Sequence, residues 1–168
     1  YRQQGSNISV LSRYPIEELA VLEETEFMNV AAKLKLSETQ SIWAMSNWYG
    51  MNSFPAVYDF HAERFAESDN SPILFGGDFN AVPHTDGGDS PASVKMLDNG
   101  FTDAYRSKYP EKIEFSWWSY RAGSRGKNKG WRIDYISVDN QLAEKIVDVT
   151  HYKDDQHSDH CALELILK

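Results

Sequence analysis

The chain has 168 residues, of which 41% are hydrophobic and 25% are charged, a composition typical of one folded domain and not of a disordered chain. Its formal net charge of -8 argues against non-specific nucleic-acid binding through an overall positive field, but leaves room for a local basic strip. The single cysteine, Cys161, excludes a disulfide within the chain and fits a reducing, cytoplasmic location. No apolar run approaches the roughly 20 residues that a membrane-spanning helix needs, so we expect no membrane partner.

The residue patterns predict a mixture of strands and helices. Short apolar or alternating runs indicate strands, and apolar residues three or four positions apart indicate helices. In chain order we expect a strand at 7–12, strands at 27–36 and 41–49 joined by a turn at 37–40, a helix at 54–68, a strand from 72 that ends in a loop, a helix at 90–100, paired strands at 113–120 and 131–138, a helix that continues as a strand over 140–149, and a strand at 161–168. Ser90 is expected to cap the helix at 90–100, with Pro91 at its first position. This mixture predicts the α/β (α+β) class in one domain, residues 1–168.

A candidate site lies where the strand from residue 72 ends, in the sequence GGDFN (76–80). In an extended stretch, Asp78 and Asn80 would point to the same side. A carboxylate can bind a divalent metal or orient a water, and an amide can hold a phosphate oxygen. We expect the two glycines to permit a sharp turn that presents both side chains. By itself the motif also fits a Gly-Gly-Asp turn without any chemistry.

Two further motifs place ionisable groups beside predicted strands. Asp134 lies in the apolar stretch GWRIDYISV, where a charged carboxylate is costly unless it is paired, although a solvated strand face is the alternative. HSDHCALEL places Asp159 directly before His160, ahead of the last strand. The three histidines of this tail do not indicate structural zinc, because no cysteines accompany them at zinc-finger spacing.

In order along the chain, GGDFN, FSWWSYR (115–121), GWRIDY (130–135) and SDHC (158–161) resemble the motif series of the endonuclease/exonuclease/phosphatase superfamily, and within it the exonuclease III-type abasic-site endonucleases. The resemblance is strong over residues 72–168 and weak at VLSRYPI (10–16). It implies a two-sheet β-sandwich flanked by helices, with mostly antiparallel or mixed strands. It also implies a metal-dependent phosphodiester hydrolase that acts on DNA, as an abasic-site endonuclease or 3′ exonuclease, with Mg²⁺ or Mn²⁺ as cofactor.

The resemblance implies a role for individual residues as well. Asp78 resembles the carboxylate that orients or activates the attacking water, and Asn80 the amide that holds the water or the scissile phosphate. His160 resembles the imidazole that stabilises the phosphoryl oxygens, and Asp134 the carboxylate paired with it. Asp159 resembles a metal ligand.

Substrate contacts are implied at two places. The stretch NWYGMN is similar to a family segment in which Tyr49 and Asn52 would face phosphate. Trp117 and Trp131 flank a basic loop that begins at Arg121. In the family, similar aromatic positions line a pocket for a flipped-out abasic sugar while the loop contacts the DNA backbone. The alternative for this segment is two core tryptophans and a solvated hairpin tip.

The family pattern begins with a strand, a helix and a second strand that carries a metal-binding glutamate, all upstream of the VLSRYPI-like segment. Residues 1–9 cannot supply them, so we expect an N-terminally truncated, incomplete domain, and a fragment without catalytic activity is one alternative. Exposed sheet edges would then favour a homodimer or a swapped assembly. A hydrolase of a small phosphoester or phospholipid head group is a second alternative, which the acidic net charge suits. A binding or scaffold module that lost its metal site is a third.

Overall fold

The computed structural model describes residues 8–20, 28–49, 59, 70–119, 123–154 and 157–168. The strands within these ranges are β1 (Ile16–Ala20), β2 (Met28–Ser37), β3 (Gln40–Trp48), β4 (Ile73–Asp78), β5 (Phe101–Asp103), β6 (Asp134–Asp139), β7 (Ile146–Tyr152) and β8 (Ala162–Leu167). The helices are α1 (Pro91–Asp98), α2 (Ala104–Lys108) and α3 (Asn140–Ala143), with a 3-10 turn at His84–Asp86.

The strands form two sheets. The larger has six strands in the order β1-β2-β3-β4-β6-β5, and the smaller pairs β7 with β8. Within the larger sheet β3 and β4 run parallel, whereas the other neighbours are antiparallel. α2 contacts β6 of one sheet and β7 of the other. The predicted mixed α/β class with two sheets is therefore confirmed. No helix of the described ranges combines the length and the apolar character needed to cross a membrane.

Several predicted elements are confirmed along with their local causes. The strands expected at 27–36 and 41–49 are β2 and β3, and the tight turn between them lies at residues 38 and 39. The helix expected at 90–100 is α1, whose cap Ser90 accepts a hydrogen bond from the Ser93 N–H at 3.3 Å. The helix-then-strand and final-strand predictions correspond to α3 with β7, and to β8. The helix expected at 54–68 lies outside the described residues apart from Asp59, which is helical.

Two predicted strands are wrong. Of residues 8–12, only Ser9 forms a bridge, and the Ser12 hydroxyl accepts the Tyr14 N–H at 2.9 Å in the bend that precedes β1. Residues 113–119 form no strand; they meet the expected partner through an isolated bridge between Trp117 and Trp131 and a hydrogen bond from the Ser116 N–H to the Trp131 carbonyl. The N–H groups with which a partner strand would continue, those of residues 133 and 134, are bound instead by the side chain of Ser116.

The glycines of GGDFN act differently from the expectation. Gly76 and Gly77 both lie inside β4, so the predicted turn at the glycines is wrong and the chain turns only after Asp78. Gly77 has φ 144°, and a Cβ at this position would overlap the backbone carbonyl of Asn47 in β3. Glycine is needed here because the two parallel strands approach closely.

An aromatic core cluster anchors the loop that follows β4. The ring of Phe79 stacks on that of Tyr135 in β6, with centroids 4.1 Å apart and an interplanar angle of 11°. It also contacts the ring of Tyr49 at 5.2 Å. All three residues are buried. Because the residue between Asp78 and Asn80 is fixed in the core, both polar neighbours are held at the end of the sheet.

A buried ionic network holds the start of β6. The side chain of Arg132 is fully buried and donates from Nη2 to Asp86 Oδ1 at 2.6 Å and to Asp103 Oδ2 at 2.7 Å. Arg106 donates to the same Asp86 at 2.7 Å. Burial of Asp86 opposes its ionisation, yet the hydrogen bonds from the two arginines lower its pKa to about 2. The network joins the 3-10 turn, the cap of α2 and the strand that begins with Asp134.

Candidate active site

Three ionisable side chains meet where β4 ends and β6 begins. Asp78 is the last residue of β4 and Asp134 the first of β6, and the two are directly opposite in the antiparallel register. His160, just before β8, completes a group whose ligand atoms all lie within 4.8 Å of one another. Two carboxylates that face each other across neighbouring strands repel. The site is therefore suited to hold positive charge or a proton between them.

The imidazole of His160 is paired with Asp134. Its Nδ1 lies 2.8 Å from Asp134 Oδ2 and 3.0 Å from Oδ1. This hydrogen bond raises the pKa of His160, an effect that partial burial opposes. A carboxylate at Nδ1 fixes the proton there and leaves Nε2 as the nitrogen available to another group. The structure thus brings together the pair that the sequence predicted, and the role of the pair in catalysis stays a prediction.

Ser116 orients the Asp134 carboxylate and was not found by sequence reasoning. Its Oγ accepts the N–H groups of Ile133 at 3.0 Å and Asp134 at 2.9 Å, and donates to Asp134 Oδ2 at 2.7 Å. Ser116 is fully buried. Its backbone also joins two segments, since its N–H donates to the Trp131 carbonyl and its carbonyl accepts the Cys161 N–H. The feature of the sequence that could have indicated Ser116 is its position as a small hydroxyl residue between aromatic neighbours.

We expect Ser116→Ala to lower the free energy of unfolding by about 1 to 3 kcal/mol, because two buried N–H groups and a carboxylate oxygen lose their partner. Urea unfolding followed by far-ultraviolet circular dichroism measures this. Ser107→Ala is the control, since the partner of the Ser107 hydroxyl within the described part of the chain is the Ala104 carbonyl of its own helix. Equal losses in the two variants would contradict the assigned role of Ser116.

Asp78 and Asn80 lie side by side, but not through the extended backbone expected from the sequence. Asn80 has φ 50°, a left-handed conformation that asparagine tolerates. Its N–H donates to Asp78 Oδ1 at 2.8 Å, and its side-chain amide donates to the Tyr49 carbonyl at 2.6 Å. Burial raises the pKa of Asp78 and nearby Asp134 adds to this, whereas the Asn80 N–H, His160 and a hydrogen bond from Trp48 oppose it.

The predicted phosphate contacts are only partly within the described residues. Tyr49 is 1% exposed. Its N–H donates to the Asp78 carbonyl at 2.9 Å, so the backbone of Tyr49 is hydrogen-bonded to the end of β4. Burial raises the pKa of Tyr49 well above its ordinary value. Asn52 and Arg121 lie outside the described residues. Contacts of these three side chains with phosphate stay predictions.

Trp117 and Trp131 form an aromatic pair at the surface. Their rings stack with centroids 5.3 Å apart and an interplanar angle of 17°, and Trp131 is 58% exposed. The core tryptophan of this segment is instead Trp118, which is 2% exposed. Because the two rings lie against each other, a ligand would bind beside the pair and not between the rings. An open cavity of about 660 Å³ lies there, lined by both rings and by Phe115, Ser119, Ser124, Asn128, Lys129 and Gly130.

The remaining predicted residue, Asp159, borders the aromatic pair. Its Oδ2 accepts the indole N–H of Trp117 at 2.9 Å, and its carbonyl accepts the Trp118 N–H at 2.9 Å. Arg125 of the basic loop donates to the neighbouring Ser158 carbonyl at 2.9 Å while its guanidinium lies 4.6 Å from the Trp118 ring centroid. The loop therefore fixes the segment that carries Asp159 and His160, a contact that the sequence did not reveal.

The metal-ligand atoms of this site, carboxylate oxygens and an imidazole nitrogen, fit a hard divalent cation. Asp78, Asp134 and His160 form a group that could hold a metal, and Asp159 lies outside this group. Carboxylate oxygens are the ligands that Mg²⁺ and Mn²⁺ prefer. The nearby thiol of Cys161 is buried, and burial raises its pKa to about 11, so it offers no thiolate for a softer metal.

The sequence is similar to a known family and to curated relatives. The family model described as "Endonuclease/Exonuclease/phosphatase family" matches residues 1–160. An exodeoxyribonuclease of Bacillus subtilis (strain 168) is 48% identical over 77 residues, which are 45% of this chain and 31% of that protein. The DNA repair nuclease APEX1 of Danio rerio is 35% identical over 75 residues, 44% of this chain and 24% of that protein. The chain thus matches less than a third of the length of either relative.

Solved structures show the same fold. The 3′ phosphatase NExo from Neisseria, in a structure bound to a product DNA hairpin, superposes with a TM-score of 0.76 at 20% identity, covering 94% of this chain and 73% of that one. The AP endonuclease LMAP from Leishmania major gives a TM-score of 0.69 at 19% identity, covering 82% and 53%. At this level of identity the likeness establishes the architecture only.

Proposed function

Since the chain belongs to the endonuclease/exonuclease/phosphatase family, we propose that it carries the catalytic cluster of a metal-dependent phosphodiester hydrolase that acts on DNA, at abasic sites or from 3′ ends. The observation that carries the proposal is the group formed by Asp78, Asp134 and His160 at the ends of two paired strands. The similarity to an exodeoxyribonuclease and to a DNA repair nuclease supports DNA as the substrate.

The proposed chemistry is in-line attack of a water on phosphorus, in which the new bond to the water oxygen forms as the opposite bond to a sugar oxygen breaks, and the leaving sugar oxygen takes a proton from solvent. Asp78 orients this water and accepts its proton, a role for which its raised pKa suits it. His160, whose pKa is raised by its hydrogen bond with Asp134, donates a hydrogen bond from Nε2 to a phosphoryl oxygen as charge develops there. Asn80, fixed by two hydrogen bonds, holds the water or the phosphate. Asp159 is the residue proposed to hold Mg²⁺ or Mn²⁺, which would supply charge neutralisation at the phosphate when bound.

The surface beside the cluster supports a nucleic-acid substrate. Trp131 is exposed, and the adjoining loop carries Arg125, Lys127 and Lys129. In a chain of net charge -8, this loop forms a local basic strip next to aromatic rings. Basic groups bind the phosphate backbone and aromatic faces accept a base or sugar. A homodimer and a cytoplasmic location stay predictions.

We expect Mg²⁺-dependent cleavage of a DNA duplex that contains one abasic site, by this chain or by a version extended at its N-terminus with the family's preceding strands. Gel electrophoresis of a labelled duplex, with and without chelator, measures this. Asp78→Asn protein purified in the same way controls for contaminating nuclease. Hydrolysis of bis(p-nitrophenyl) phosphate without cleavage of DNA would favour the small-phosphoester alternative, and inactivity of both versions on both substrates would favour the scaffold alternative.

A further inference from the structure

Three residues lie directly opposite one another at the end of the larger sheet that carries the site. Trp48, the last residue of β3, pairs in register with Asp78, and Asp78 pairs in register with Asp134. Directly paired residues of neighbouring strands project to the same face of a sheet, with the strands about 5 Å apart. Since β4 lies between β3 and β6, the Trp48 side chain stands beside the Asp78 carboxylate, on the side away from Asp134.

The indole of Trp48 is held at one edge while part of its surface is open to solvent. Its N–H, the only donor of this side chain, is hydrogen-bonded to the Asp78 carboxylate. Trp48 is nevertheless 37% exposed, whereas Asn47 and Tyr49 on either side of it are buried. A large ring that the fold orients without burying it loses little freedom when a flat ligand packs on it.

Aromatic rings therefore flank the ionisable cluster on both sides. On one side, the ring of Trp117 lies 6.5 Å from that of His160 and stacks on Trp131. On the other side, Trp48 lies beside Asp78. Each phosphodiester joins two nucleosides, so a phosphate bound at the cluster has a sugar and a base on either side. The cavity beside the Trp117–Trp131 pair can take one nucleoside, and Trp48 is placed to contact the other.

We propose that Trp48 forms a stacking subsite for an unpaired nucleobase of DNA, on the side of the scissile phosphate opposite the Trp117–Trp131 pair. This inference rests on the proposed function in one respect, the assignment of DNA as the ligand. A base can stack on a protein ring when its own face is not covered by a neighbouring base pair. The subsite therefore favours a single strand or a frayed strand end over the interior of an intact duplex.

The charges around Trp48 favour a base over another part of the nucleotide. The carboxylates of Asp78 and Asp134 lie on the same face of the sheet and repel a second phosphate. Stacking of a neutral base on an indole does not depend on charge, and every base has a face that can stack. The Trp48 side of the cluster is thus suited to the base and not to the backbone.

The test measures how much the bases of a DNA strand contribute to binding. Two fluorescein-labelled probes of equal charge are compared, a strand of eleven thymidines and the same backbone with abasic tetrahydrofuran residues in place of the thymidines. Fluorescence anisotropy with EDTA present gives both affinities without cleavage. We expect the wild-type chain to prefer the thymidine strand, and Trp48→Leu to reduce this preference at least about fivefold while binding the abasic strand as the wild-type chain does.

Two further variants separate stacking from other causes. Trp48→Phe keeps an aromatic ring but loses the N–H that reaches Asp78, and should keep most of the preference. Tyr152→Leu removes a ring that is exposed on the smaller sheet, and should leave both affinities unchanged. The inference is overturned by a wild-type chain without the preference, by Trp48→Leu that keeps it or weakens both probes equally, or by a loss in Trp48→Phe or Tyr152→Leu as large as in Trp48→Leu.

A measurement on the unmodified chain covers the case in which Trp48→Leu does not fold. In a ¹H–¹⁵N spectrum of ¹⁵N-tryptophan-labelled protein, the thymidine strand should shift the indole N–H signal of Trp48 and leave that of the fully buried Trp43 in place. A Trp48 signal that does not respond at saturation would overturn the subsite. A chain that binds in this way but cleaves no DNA would support the subsite and contradict the proposed hydrolysis, so the two failures are distinguishable.

Discussion

Asp78→Asn is expected to slow DNA cleavage at least about 100-fold while leaving the chain as stable as before or more so. Asparagine keeps the shape of the side chain and an oxygen that can accept the Asn80 N–H, but it cannot accept a proton. The same change removes one of two negative charges that face each other across β4 and β6. Loss of activity should therefore come with relief of repulsion and not with unfolding.

Single-turnover cleavage and thermal unfolding of the same preparations test both halves of this expectation. Asp98→Asn is the matched control, because Asp98 is an exposed aspartate at the end of α1, remote in sequence from the cluster. A loss of only a few-fold in Asp78→Asn would remove Asp78 from the assigned role. A large loss accompanied by a lower melting temperature would show that the residue acts through the fold.

Arg132→Met is expected to lower the free energy of unfolding by at least about 3 kcal/mol near pH 7. The substitution leaves the carboxylates of Asp86 and Asp103 buried and without the guanidinium that each now contacts. Arg106 can compensate Asp86 only in part, from one edge. Because Arg132 lies two residues before Asp134 and the network holds the start of β6, cleavage activity should fall together with stability.

The pH dependence identifies the cause of this destabilisation. The folded-state pKa of Asp86 is lowered from 3.8 to about 2, so its contribution to stability is present above the unfolded pKa and is lost as pH falls through about 2. The difference between the wild-type chain and Arg132→Met in urea unfolding should therefore shrink as pH falls from 7 toward 2. A difference that stays constant over that range would point to lost packing alone. Lys129→Met, at an exposed loop position, serves as the control for removing one cation.

The sequence predicted some features of the fold and of the candidate site and missed others. The pairing of Asp134 with His160 was implied by the resemblance of the ordered motifs to the family and not by local chemistry, and the structure places the two side chains within hydrogen-bond distance. The cap at Ser90 and the turn after β2 were predictable from the sequence, since both depend on residues that are close in the chain. Local chemistry was thus sufficient wherever the interacting groups are close in sequence.

The parts that sequence reasoning missed depend on contacts between distant segments. The alternation at 113–120 resembles a strand, but the buried hydroxyl of Ser116 binds the N–H groups that a ladder would need. Gly77 looked like a turn residue because its steric conflict, with the backbone of Asn47, is visible only once β3 and β4 are paired. The hydrogen bond from Trp117 to Asp159 likewise requires the complete fold.

The position of β4 between β3 and β6 determines when the cluster can form during folding. β4 pairs in parallel with β3, and its other partner, β6, lies later in the chain, after α1, β5 and α2. Pairings between such distant segments carry a large loop-closure entropy and make folding slow. We therefore expect β2 and β3, a hairpin of neighbouring strands, to assemble early, and the Asp78–Asp134–His160 group to be among the last features to form as the chain folds.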